Sequence, residues 1–134
     1  MKIKTQDLTG AALDWAVAKA KGIDVVISQM AKRVEFDSYV YAEYCNSYNA
    51  GQFHQFNPSH NWAQGGPIIE RENIEWQWLP APDKAHQYGA RKPSLGGLNR
   101  TFCMDGPTVL IAAMRCYVAS RLGDEVEVPE ELLK

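Results

Sequence analysis

The chain has 134 residues, 46% of them hydrophobic and 22% charged, with a formal net charge of −2. That length suits one domain with a core of its own, and the composition excludes disorder along the whole chain. No apolar run approaches the ~20 residues of a membrane-spanning helix, and a mildly acidic chain lacks the concentrated basic face that duplex binding needs.

Asp7 and Asp14 interrupt the N-terminal stretch, which argues against a signal peptide. Cys45, Cys103 and Cys116 are odd in number and widely spaced. Such cysteines suit reduced, mostly buried thiols in a reducing compartment. The tail from Asp124 to Lys134 carries −4, which leaves the rest of the chain at +2. This tail reads as a solvated acidic segment.

The first helix is expected over Thr9 to Lys21. Leu13, Ala16, Val17 and Ala20 fall on one face, Trp15 beside it, Thr9 at the N-cap and Gly22 past the end. From residue 23 to 57 the pattern is open. "IDVVIS" favours a strand, "SQMAKRVEF" suits helix as well, and Tyr39, Tyr41, Tyr44 and Tyr48 satisfy both periods in part. "GQFHQF" reads as a strand. In "NIEWQWLP", Ile74, Trp76 and Trp78 alternate as a half-buried strand does. Turn formers then surround a short strand near Tyr88, a loop, and a strand through "RTFCM".

In the last helix, Asp105 is expected to cap and Pro107 to occupy the first turn. "VLIAAMRCYVASRL" is apolar on nearly all sides, with a narrow polar stripe at Thr108, Arg115, Ser120 and Arg121. Gly123 ends it, "EVEV" offers a short strand, and Pro129 can open a final turn. The sum is α+β: a small, mostly antiparallel sheet packed between helices as a three-layer sandwich, with three main helices in a single domain over 1–134.

The segment "NPSHNWAQGGPIIERENIEW" (57–76) sets the central puzzle. Ser59 can cap a helix that Gly65-Gly66-Pro67 ought to break, because interior Gly costs about 1 kcal/mol and interior Pro about 3. A phosphate loop would add Lys and a hydroxyl, and Gly66 is followed instead by Pro67 without an N–H, then Glu70 and Glu72. Trp62, Gly65, Gly66 and Ile69 share a helical face. The segment is therefore expected to form a kinked helix over about 60–72, with both glycines pressed onto the core.

"LTGAALDWAVAKAKG" (8–22), "FNPSHNWAQGGPIIERENI" (56–74) and "GPTVLIAAMRCYVASRLGDEVEVPEEL" (106–132) resemble the NinX-like proteins of temperate phages, a family of unknown function. The middle block is also similar to the Ser-Thr-Asp-led helix of phage helix–sheet–helix sandwich domains, with His60 and Asn61 in place of Thr and Asp. The resemblance implies a phage or prophage gene acting in the bacterial host cytoplasm. It supplies no catalytic residues.

The remaining chemistry is sparse. His54, His60 and Cys45 lack the fourth ligand of a structural zinc site. No nucleophile–base pair is legible, and His60 with Glu70 and Glu72 is outweighed by Glu70, Arg71 and Glu72 facing solvent. No catalytic, cofactor or metal site is assigned. Lys84, Arg91, Lys92 and Arg100 with His86 and Tyr88 allow single-stranded nucleic-acid binding through the 84–100 loop as an alternative. The leading expectation is a non-enzymatic domain that binds a host or phage protein, with self-association open. Trp62, Gln64, Glu70, Arg71, Tyr88, Arg91 and Lys92 are the candidate surface, and Gly65, Gly66 and Pro67 are structural. Trp15, Trp76 and Trp78 are expected to pack in or at the edge of the core.

Overall fold

The computed structural model describes residues 1–30, 32–37, 53–80, 83–93 and 101–133. Among them are strands β1 (Lys2–Lys4), β2 (Val26–Ser28), β3 (Arg33–Asp37), β4 (Phe53–Gln55), β5 (Glu75–Trp78), β6 (Tyr88–Pro93), β7 (Thr101–Gly106) and β8 (Glu125–Glu127). The helices are α1 (Gly10–Lys21), α2 (Trp62–Arg71) and α3 (Val109–Leu122). The fold is α+β, and every strand pair among the described residues is antiparallel. The strands are shared among three small sheets, β1–β8, β2–β3–β4 and β5–β6–β7.

The central layer is α3. It packs on β5–β6–β7 and on α1, and α1 also meets β3. Leu110 to Ala119 are buried without interruption, as a helix apolar on every side requires. Its cap is Thr108, whose hydroxyl accepts from the Ile111 N–H at 3.1 Å, while Asp105 belongs to β7. The expected cap at Asp105 is thus corrected to Thr108. Arg115 is corrected too. It lies inside, donating from Nε to the Leu8 carbonyl and from Nη1 to the Asp105 carbonyl, both at 2.8 Å. Two carbonyls give this buried guanidinium the partners that water would.

In α1, Leu13, Ala16 and Val17 are fully buried and Gly22 closes the helix at φ 76°. Thr9 holds the N-cap position without a side-chain bond. The helical option for "SQMAKRVEF" is overturned. A turn leads into β3, where Val34 and Phe36 are buried and alternate with Arg33, Glu35 and Asp37. Phe56 then meets Phe36 edge-on at 6.1 Å. Tyr39, Tyr41, Tyr44 and Tyr48 lie outside the described residues.

Ile74 is buried, but Trp76 and Trp78 are 50% and 58% exposed, more open than the expected packing in or at the edge of the core. They pair with Ala90 and Tyr88, so their side chains share the sheet face turned toward α3. That helix lies chiefly over β6 and β7, and the edge strand runs beyond its cover. "EVEV" forms β8 and Glu130–Leu132 a 3-10 turn. The partner of β8 is β1, fastened by Thr5, whose N–H donates to the Asp124 carbonyl and whose hydroxyl donates to that of Gly123.

Candidate functional site

Helix α2 is built from its lead-in. Asn61 is the N-cap, its Oδ1 accepting from the Ala63 N–H at 2.9 Å. Ser59, expected there, instead serves α1. The helix continues through Pro67. A Cβ on Gly65 would lie 2.5 Å from the Pro58 carbonyl oxygen and 2.7 Å from Leu110 Cδ2, so backbone and core close directly on this residue. Gly66 is different: a Cβ there would meet only the Trp62 ring at 3.7 Å, an ordinary contact. The buried face is Gln64, Gly65 and Ile68, with Ile69 half-buried. The expected face through Trp62 and Gly66 is turned outward by about one residue.

The outer face of α2 carries three of the candidate surface residues. Trp62 is 55% exposed and Glu70 and Arg71 face solvent. Gln64 does not belong to that surface, since its Oε1 accepts from the Asn57 N–H at 2.6 Å and its Nε2 donates to the Gln55 carbonyl at 3.0 Å. Tyr88, Arg91 and Lys92 sit on β6. Tyr88 packs on the core, Arg91 donates from Nε to Glu75 at 2.9 Å, and Lys92 bonds Glu72.

Glu72 is a further residue that stands elsewhere than its sequence context predicts. Rather than facing solvent, its carboxylate gathers Lys92 and Arg121, and both cations lie over the Tyr117 ring at 6.0 and 5.6 Å. Burial pushes its pKa up, and the bonds and charges of Lys92 and Arg121 outweigh that and hold it below the usual range. His86 is likewise engaged, its Nδ1 2.7 Å from Asp105 Oδ1.

The family model described as Bacteriophage P22, NinX matches residues 4–121. The chain belongs to this family. A search of the curated proteins gives no match. The matched span runs from β1 through α1 and α2 almost to the end of α3, so it includes every element around the site. Among the described residues, no helix is long and apolar enough to cross a membrane.

In this NinX-family chain the block at residues 56–74 meets the block at 8–22 through a buried acid. Asp14 accepts from the Ser59 N–H at 2.9 Å, and the Ser59 hydroxyl also bonds its carboxyl. That hydroxyl stands 2.9 Å from His60 Nδ1. His60 thus joins Ser59 and Asp14 instead of Glu70 and Glu72. Burial raises the Asp14 pKa to about 6, against the opposing pull of Ser59 and His60. A cleft of about 400 Å³ beside it is lined by Asp14, Asn57, His60, Lys32 and Arg33. The order differs from a hydrolytic triad, which places histidine between acid and nucleophile. With Ser59 1% exposed, its hydroxyl is no surface nucleophile. The arrangement locks the α2 lead-in onto α1.

Proposed function

We propose that this NinX-family chain is a non-enzymatic phage accessory protein that binds a host or phage protein in the cytoplasm of the bacterial host. The observation that carries the reading is Trp62 at the start of α2. More than half of its surface is in solvent, its ring lies across Gly66, and Glu70 and Arg71 are exposed farther along the same helix. An aromatic anchor already seated on its own helix, with charged neighbours, has the composition of an interface hot spot. Little ordering entropy remains to be lost on binding. The reading requires no cofactor or metal.

The nucleic-acid alternative draws less support. Arg91 and Lys92 are committed to Glu75 and Glu72, and His86 to Asp105. Residues 94–100 lie outside the described chain.

The test is affinity capture from host lysate with the parent chain, Trp62→Ala and Arg71→Glu. A defined protein held by the parent and reduced about tenfold by Trp62→Ala supports the reading. Both variants should melt as the parent does, since the altered side chains are exposed. Capture that is indifferent to Trp62 overturns it.

A further inference from the structure

Among the described residues β5 is an edge strand, and its open side has unusual boundaries. The Leu79 N–H donates to the Gln87 carbonyl at 2.7 Å. Pairs in an antiparallel ladder alternate, so Gln77 and Glu75 turn their backbone groups toward β6 while Trp76 and Trp78 turn theirs outward. The preceding outward residue, Ile74, gives its N–H to the Ile69 carbonyl at 3.0 Å. The following one, Pro80, has no N–H. The open edge is therefore a window of two residues centred on Gln77.

We propose that a second copy of this chain fills that window, β5 pairing antiparallel with its own copy about a two-fold axis through Gln77. Trp76 then faces Trp78 of the partner subunit, and Trp78 faces Trp76 of the partner subunit, which makes four backbone hydrogen bonds. Shifting the register by one pair in either direction sets Ile74 or Pro80 opposite a tryptophan, whose carbonyl then meets an amide already used or missing, whereas in the matched register Ile74 and Pro80 oppose only each other. Within the matched register, Gln77 opposes its own copy as a non-hydrogen-bonded pair. Glu75 opposes Leu79 of the partner subunit and keeps Arg91, so no like charges meet.

The side chains fit the same arrangement. Trp76 and Trp78 are 50% and 58% exposed on one sheet face, and pairing gathers four tryptophans there. The strand has no lysine or inward charge to discourage edge pairing. Symmetry satisfies the outward N–H and C=O groups of Trp76 and Trp78 in both subunits at once. The product is a continuous sheet of six strands.

Sedimentation of the parent chain over a range of concentrations, together with oxidative cross-linking, tests this. The parent should run as a monomer–dimer equilibrium, weakened about fivefold or more by Gln77→Lys, which sets two cations face to face. Gln77→Cys should cross-link to its own copy well above the parent background, because Cα atoms in such a pair stand about 4.5 Å apart, within disulfide reach. Glu75→Cys, on the same face but off the axis, should stay at background. Both altered positions are exposed, so folding is retained. A monomer at every concentration, or a dimer indifferent to Gln77→Lys with no cross-link at 77, overturns the proposal. So does a chain that remains single and takes up only a foreign strand.

Discussion

The Pro58 carbonyl oxygen lies 2.5 Å from where a Cβ on Gly65 would sit, while one residue later Gly66 has only the Trp62 ring at 3.7 Å. Two adjacent glycines therefore do different work. Gly65→Ala forces backbone against backbone and should cost about 2 kcal/mol or more, in spite of the better helix propensity of alanine. Gly66→Ala meets ordinary contact and should be neutral or gain up to about 1 kcal/mol. Chemical denaturation of the two variants decides the matter, and equal stabilities would refute it.

Asp14 should shape the pH dependence of stability. Its folded pKa, about 6, lies above the ordinary 3.8. Below pH ~4 both folded and unfolded chains hold the proton and nothing is lost. Between there and about 6 the unfolded chain releases it first, so stability falls with rising pH by about 3 kcal/mol and then levels. Asp14→Asn keeps an acceptor for the Ser59 N–H and a donor for its hydroxyl. Urea midpoints of the variant should lack this slope and exceed the parent at pH 7.

Glu72 has the opposite sign. Its carboxylate is held below the usual range, so its contribution is present above pH ~4.5 and fades as pH falls through the lower folded value. Glu72→Gln leaves Lys92, only 15% exposed, without its anion. The expected cost at pH 7 is about 1–2 kcal/mol, shrinking toward zero in acid. A melt that shows the same deficit at pH 3 and pH 7 would contradict the ion-pair account.

Oligonucleotide titrations should be weak at low salt. Arg91 and Lys92 are already paired within the chain. Anisotropy curves should not distinguish the parent from Arg91→Ala. Tight binding that declines steeply with salt and with loss of Arg91 would restore the nucleic-acid reading.

How much of this was legible in the sequence depended on how local each feature is. The cores of α1 and α3 followed from spacing, because Leu13, Ala16 and Val17 declare a face by themselves. The phase of α2 did not. Gln64 looked polar and outward, yet Asn57 and Gln55 receive it inside, and this turns Trp62 and Gly66 outward. The strand at residues 75–78 was recognised, but its position at the sheet edge is a property of topology. Alternation could not reveal that Trp76 and Trp78 run past the cover of α3.

The acid chemistry was the least legible. Asp14 meets Ser59 across 45 positions, and Glu72 meets Arg121 across 49. No short motif links such partners. The one available signal was Asp14 itself, a charged residue amid the apolar stripe of α1.

The pairing of β1 with β8 sets a timetable for synthesis. Lys4 faces Glu125, so the roughly 120 residues between them must be made before β1 can find its complement. At ribosomal speeds of 5–20 residues per second that delay is roughly 6–24 s. During it β1 must dwell without its closing clasp, exposed to chaperones and proteases, and a chain cut short before Glu125 would be unable to shut.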